Sequence, residues 1–561
     1  MLIKNFKILV LIFLFYQSSV YSKSNSLKDI NSQNLSNYFS GIVASNNKDN
    51  SQALNFFNSS KTLSDNHVPY LKKYIYSLIL EGKVLNAINV IKRNKDKKNS
   101  KFFDAHLLLI TDSLKKNNFE KAEKYLSKIT NLNKSDRFHP VITGILKNFI
   151  HTFNKKEILY NDVNFGNISL ISQALQRCYL KKDSTRSSFL NLINNPNGDY
   201  SRYKFFYANF LIANKKIEEA KDIFDEIEFI DSTLLLSQGK IWIENNEYKK
   251  FTKIFSCRNH NDIVSEFLFL IANLYSSEND LNKSNFYSNL SYYLNPKFKF
   301  NLALIVENYY ENKEYKKVKK IIQNFNDDDQ FYYWFRTKKE AQIIIEERGE
   351  ENGVNFITSK FKKIEKPNFK ILFDIANFYK NSKKYEKAVE HYTKIISMLD
   401  EDTVIKSELL YRRGSSYERL KNFKRSDEDF ISSLNIDPDN AYVLNYLAYS
   451  WLERDHKIDQ AMEMLKKAYL LKNDDPYIID SIGWAYYLID NYVEAEKYLK
   501  RAVELMPDDP IVNDHYGDIL WKLDRKLQAR YFWKNVLGFD DSDEKLKQKV
   551  NNKLVEGLKK S

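Results

Sequence analysis

Small side chains recur along the C-terminal third of this chain with a period of 34 or 35 residues. Gly414, Ala448, Gly483 and Gly517 form one series, and Ser426, Ala461, Ala495 and Ala529 form a second. A proline, Pro438 or Pro507, follows two of the units. Between these markers the apolar positions keep helical spacing, so each period predicts two helices joined by a turn. Two helices approach closely only where side chains are small, so Gly483 is expected to face Ala495. Ala502 then makes room for the next unit, Tyr486 and Leu499 fill the remaining volume, and Pro507, with no amide hydrogen, ends the second helix.

The pattern fades upstream without vanishing. Ala53, Ala87, Ala122, Ala220, Ser284, Val318 and Ala388 stand in the small slot of the second helix. The stretches 140–200 and 325–365 match least. The run FYYWF (Phe331–Phe335) is expected to be buried, because five consecutive aromatics in water would be a liability. In the tail, Leu546, Val550, Leu554 and Leu558 make one apolar stripe, as a cap for the last unit requires.

A 34-residue helix–turn–helix unit with these small, aromatic and proline positions resembles the tetratricopeptide repeat. The unit from Pro476 matches best, through Gly483, Tyr486, Ala495, Leu499, Ala502 and Pro507. The unit from Ala441 carries one extra residue in its turn, RDHKID. The stretch NDHYGDILWKLDRKLQARYFW (Asn513–Trp533) is similar to signal-bearing members from proteobacteria. The resemblance implies an all-α, right-handed superhelical solenoid of antiparallel helix hairpins. Degenerate repeats are expected over 36–400, well-formed repeats over 401–538 and a capping helix over 539–561. The family's groove positions carry over to Tyr411, Ser415, Glu418, Tyr442, Asn445, Tyr449, Tyr477, Asp480, Trp484, Tyr487, Ile511, Asp514, Asp518 and Trp521. Aromatics flanked by Asp and Asn suit a protein or peptide partner. The lysine and asparagine with which chaperone-binding members hold a terminal carboxylate are replaced by Tyr411 and Ser415, so that clamp is not implied.

Composition narrows the chemistry. Thirteen glycines and nine prolines in 561 residues leave little for phosphate loops or all-β turns, and 29% charged with 15% aromatic residues suits packed helices. No catalytic or metal-ligand spacing appears, and no cofactor is expected. CRNH (Cys257–His260) is a lone pair of candidate ligands, read as a helix end, and the acid pairs Asp474–Asp475 and Asp508–Asp509 sit where they favour the next helix N-terminus. His515 falls at a groove position and is expected to be solvated or stacked. The expectation is a non-enzymatic scaffold.

Lys4 and Lys7, an apolar run from Ile8 to Tyr16 and small residues near Ser22 read as a signal peptide over 1–22, followed by a linker over 23–35. Export to the periplasm or envelope is therefore expected. Cys178 and Cys257 lie about two units apart, and in a linear stack that separation exceeds the reach of a disulfide, so two separate thiols are expected. Residues 23–406 carry 60 Lys and Arg against 45 Asp and Glu, whereas 407–538 carry 19 against 23. The basic part suggests an alternative function, a carrier or assembly factor for envelope polysaccharide or lipid, with an anionic glycan or membrane surface as partner. The alternative is a lysine-rich composition without a ligand. No nucleic-acid motif appears, and nucleic acid is not an expected partner.

Overall fold

The computed structural model describes residues 32–558 apart from 65–66, 96, 131–135, 160–162, 228–231, 326–328 and 400–401. The expected signal peptide and most of the expected linker lie outside the described residues. Among the described residues there are thirty α-helices and two short 3-10 turns, with no strand, and the chain divides into two compact units with the boundary after Ile343.

The first unit opens with the hairpins α1/α2 (Ser32–Asn46, Asn50–Ser59), α3/α4 (Val68–Leu80, Val84–Asn94) and α5/α6 (Phe103–Lys115, Phe119–Ile129). A single helix follows, α7 (His139–Lys155). Next come α8/α9 (Asn167–Tyr179, Thr185–Ile193), α10/α11 (Ser201–Ala213, Ile217–Asp225) and α12/α13 (Leu234–Glu244, Lys249–Ile254). The pairs α14/α15 (His260–Ser277, Leu281–Leu294) and α16/α17 (Asn301–Glu311, Tyr315–Ile322) complete it, and α18 (Gln330–Arg348) carries the boundary.

The second unit contains α19 (Glu350–Phe361) and then α20/α21 (Phe369–Asn381, Tyr385–Ile396) and α22/α23 (Val404–Arg419, Phe423–Ile436). It continues with α24/α25 (Ala441–Leu452, Ile458–Leu471), α26/α27 (Pro476–Leu488, Tyr492–Leu505) and α28/α29 (Pro510–Lys522, Lys526–Val536). The terminal helix is α30 (Glu544–Glu556).

Every residue assigned to the small slot of the second helix is fully buried, from Ala53, Ala87 and Ala122 through Ser284 and Val318 to Ala495 and Ala529. On the first helix, a β-carbon added at Gly41, Gly414, Gly483 or Gly517 would strike Phe57, Phe430, Leu499 or Trp533 respectively. Each partner lies sixteen residues on. Gly483 therefore receives Leu499, with the β-carbon 2.8 Å from Cγ, rather than facing Ala495 as expected. The large residue of the second helix occupies the small notch of the first, and the small slot serves the neighbouring contacts. Phe331, Tyr332, Trp334 and Phe335 are buried as expected.

The turns inside the hairpins share one device. A single residue adopts left-handed backbone, such as Asn117, Asn279, Lys383, Lys421, Asp490 or Asp524. The next amide then reaches back to the closing helix, as in Asn491 N–H to Tyr486 O at 2.9 Å and Lys384 N–H to Tyr379 O at 2.8 Å.

In the first unit the chain returns on itself. Tyr76 stacks on Phe286 at 5.2 Å, the Tyr309 hydroxyl donates to Leu80 O at 2.8 Å, and Lys115 Nζ donates to Tyr293 O and Leu294 O at 3.0 and 2.7 Å. Helices α14 and α15 thus pack on helices far earlier in sequence as well as on their neighbours. This closure overturns the expectation of two separate thiols: Cys178 and Cys257 are disulfide-bonded, with Cα atoms 5.8 Å apart. Cys257 lies in the turn before α14 rather than on a stacked helix. The return of α14 onto α7 and α8 brings that turn to the end of α8.

Gly517→Ala should destabilise the second unit by about 1–3 kcal/mol, because Trp533 is fully buried and has nowhere to retreat. Gly414→Ala, where the Phe430 ring edge lies 3.0 Å from the added carbon, should cost less. Trp533→Leu should recover part of the Gly517→Ala loss in a double variant. Thermal unfolding of the four proteins checks this ordering, and a wild-type melt for Gly517→Ala would contradict the notch assignment.

Candidate functional site

The first helices of four successive hairpins, α22, α24, α26 and α28, line a cavity of about 730 Å³. Their starts are fixed by side-chain caps. Asn440 accepts from Val443 N–H, Asp475 from Tyr477 and Ile478, and Asp509 from Ile511 and Val512. The acid pairs noted in the sequence thus place a carboxylate on the N-termini of α26 and α28.

Tyr411, Glu418, Tyr442, Asn445, Tyr449, Tyr477, Asp480 and Ile511 come together on this wall. Tyr442, Tyr477 and Ile511 are 48%, 56% and 44% exposed, high for side chains of their apolar area. Asn445 Oδ1 is buried with no hydrogen-bond partner, although a buried amide oxygen is costly when unpaired. Glu418 accepts from the Tyr446 hydroxyl at 3.3 Å, and Glu453 accepts from Trp484 Nε1 at 2.9 Å. Arg454 is held by Asp427 at 2.8 Å and lies over the Phe423 ring. Glu418, Glu453, Asp480 and Asp509 outnumber Arg419 and Arg454, so the wall is mildly acidic.

The other expected groove residues are placed elsewhere. Ser415 is buried, its hydroxyl donating to Arg412 O at 2.9 Å. Trp484 is only 8% exposed and lies between Tyr487 and His515, at 4.6 and 4.0 Å, with Tyr487 half-buried beside it. Asp514 and Asp518 are buried beneath α30, where Lys553 Nζ lies 2.6 Å from a carboxylate oxygen of each. Trp521 packs on Trp533 at 5.3 Å and under the Arg530 guanidinium. The reason is register. Lys549 and Lys553 follow Asp514 and Asp518 by 35 residues, one repeat, so α30 takes the place of the first helix of a further hairpin. Val550 is fully buried there, and Leu546, Leu554 and Leu558 pack against the same core. Asp514, Asp518 and Trp521 therefore form the seat of the cap and do not face an open groove.

The cavity also holds Arg419, Phe423, Tyr446, Ser450, Glu453 and Arg454, which the groove positions did not include. Most lie at the ends of α22 and α24. The extra turn residue in RDHKID was the one sequence sign that this end is unusual.

Burial lowers the His515 pKa, but the Asp480 carboxylate at 2.9 Å, with Asp514 and Asp518 nearby, outweighs it and raises the value above the ordinary 6.5. Burial, reinforced by the Glu453, Asp480 and Asp514 carboxylates, raises the Tyr449 hydroxyl far above its usual range. Burial, aided by Arg412, pushes Lys380 down to about 8. Among the described residues no three His, Cys, Asp or Glu side chains gather in a metal-binding arrangement. His260, the second member of CRNH, bonds Leu114 O at 2.9 Å through Nε2.

The tetratricopeptide repeat family model matches residues 369–398 and 407–440, so the chain carries tetratricopeptide repeats there. It is 31% identical over 136 residues to the TPR repeat-containing protein PA4667 of Pseudomonas aeruginosa, an alignment covering 24% of this chain and 22% of that one. The chain thus spans about a fifth of the length of that curated relative. Among solved structures it is similar to a tetratricopeptide repeat protein from Parabacteroides merdae, at 16% identity over 45% of this chain and 97% of the other, with a TM-score of 0.38. The thermophilic TPR protein TTC0263 of Thermus thermophilus is 18% identical over 34% of this chain and all of the other, with a TM-score of 0.30.

A histidine whose folded pKa is raised adds stability that is complete below about 6.5 and is lost as pH rises through the folded value. The second unit should therefore melt at lower temperature on going from pH 6 to pH 8.5, and His515→Gln should flatten that dependence. Lys380 of the same unit, pushed down to about 8, and Asp104 and Asp262 of the first unit, both pushed up to about 6 by burial, titrate in or near the same window. The difference between wild type and His515→Gln is thus the quantity to measure. Parallel wild-type and variant curves would remove His515 from the account.

Proposed function

We propose that this protein is an exported, non-enzymatic scaffold that binds a protein or peptide partner through the cavity of its second unit. The observation that carries this reading is the row of partly exposed tyrosines around Asn445, whose buried carbonyl oxygen has no partner. Tyrosines supply large contact area at little entropic cost, and a free amide oxygen can accept from the backbone N–H of an extended segment. The acidic excess on the wall favours a segment carrying lysine or arginine. Tetratricopeptide repeats are generally scaffolds of this kind, which supports the absence of catalysis.

Export is supported by the reading of residues 1–22 as a signal peptide and by the Cys178–Cys257 bond, since disulfides persist in oxidising compartments. Among the described residues no helix is long and apolar enough to cross a membrane. On this reading the partner is a component of the cell envelope.

Tyr442→Ala combined with Tyr477→Ala should reduce cross-linked capture of a partner from envelope extract by at least tenfold, with helicity unchanged, because both rings are about half exposed. Trp484→Ala and Trp521→Ala should instead lower the melting temperature, because both rings are packed between repeats. Capture of the same partner by the double tyrosine variant and wild type alike would exclude the cavity as its site.

A further inference from the structure

The closure of the first unit forms a second, half-open cavity of about 890 Å³, unrelated to the groove of the second unit. One wall comes from α3, the start of α5 and the start of α7. The other comes from the end of α14 and from α15, more than a hundred residues later in sequence. The cavity exists only because the chain returns on itself.

Its charges are unequally satisfied. Lys283 is neutralised by Asp136 and Asp280, each at 3.0 Å, and Asp136 also accepts from the Tyr275 hydroxyl at 2.8 Å. Lys48 donates to Asn312 at 2.9 Å. Lys72, Lys73 and Lys101 also line the cavity, and no ion pair within 4 Å is formed by any of them among the described residues. The remaining acid is Asp104, which influences Lys72 from beyond contact distance. With Lys48, the lining keeps a surplus of positive charge, and Lys72, Lys73 and Lys101 stand solvent-exposed at the rim of the cavity.

The walls between these charges are ring pairs. Tyr76 stacks on Phe286, Tyr275 on Tyr287 at 5.3 Å, and Phe103 on His139 at 3.6 Å. Phe103, Tyr275, Phe286 and Tyr287 are buried, so Tyr76 and His139 offer the accessible ring surface, and beside clustered ammonium groups they match a ligand that has a ring of its own and a compact dianionic group. A phosphomonoester, at about −1.5 to −2 charge near pH 7, meets three lysines better than a single carboxylate does.

We propose that this cavity binds a small phosphomonoester carried on a ring, with Lys72, Lys73 and Lys101 holding the phosphate and the stacked aromatic walls receiving the ring. A sugar phosphate and a nucleotide share that chemistry.

Isothermal titration of the full chain with glucose 6-phosphate, adenosine monophosphate, inorganic phosphate, glucose and adenosine tests it. One of the two ring-bearing phosphates should bind at least tenfold more tightly than inorganic phosphate and than its own uncharged parent. Lys72→Gln/Lys73→Gln/Lys101→Gln should weaken that binding at least tenfold, whereas Lys121→Gln/Lys124→Gln on the exposed face of α6 should not. Which of the two phosphates binds separates the sugar source from the nucleotide source. Acetylation footprinting of the unmutated chain keeps the test independent of variant folding, because the bound phosphate should protect Lys72, Lys73 and Lys101. Absence of binding by both ring-bearing phosphates, equal binding of an uncharged parent or of inorganic phosphate, or unprotected lysines would overturn the proposal.

Discussion

The structure depends on how closely the two helices of a hairpin can approach. At Gly41, Gly414, Gly483 and Gly517 the backbone of the first helix comes within contact of a large side chain sixteen residues on, and no β-carbon fits between them. The same positions carry Ala376 opposite Tyr392, both fully buried, in the hairpin α20/α21. A large side chain in a small notch sets the distance between the two helices. It also explains the high aromatic content, because each notch needs a bulky complement to leave no void. The left-handed turn residue then fixes the angle at which the second helix departs. Lys, Asn and Asp fill this position far more often than Gly, which lets the chain build so many turns with thirteen glycines.

The small slots, the buried FYYWF run, the acidic helix caps and the terminal apolar stripe were legible in the sequence because each is local to one hairpin. The return of α14 and α15 onto α3 to α7 was not legible, since a period reports what an element packs against one repeat away and nothing about contacts two hundred residues away. The disulfide was misjudged for that reason. The 79-residue separation of Cys178 and Cys257 excludes a bond in a straight stack, but here a turn is folded back onto the end of α8.

The groove positions show the same limit at smaller scale. Tyr411, Tyr442, Asn445, Tyr449 and Tyr477 line one cavity because a further first helix continues the stack beside them without covering them. Asp514 and Asp518 occupy the same register one or two repeats on and are buried, because α30 carries lysines at the spacing needed to pair with them. The carboxylates of the last repeat could be read as partner-binding or as cap-binding. Only the Lys549 and Lys553 spacing of 35 residues decides between them. Breaking one side of such a buried pair strands the other charge, so the cap and the last hairpin stand or fall together.

Regularity and openness go together in this chain. In the second unit, successive hairpins keep periods of 34 or 35 residues and helices touch only near neighbours in sequence, so the wall formed by α22, α24, α26 and α28 stays accessible. In the first unit, α7 stands without a hairpin partner and α13 has only six residues. In this unit α15 packs back on α3. Exposed lysines of the basic part, Lys72, Lys73 and Lys101, are thereby gathered at the rim of one cavity. The departures from the repeat, which look like decay of a motif when read in sequence, accompany the return that gives the first unit its cavity.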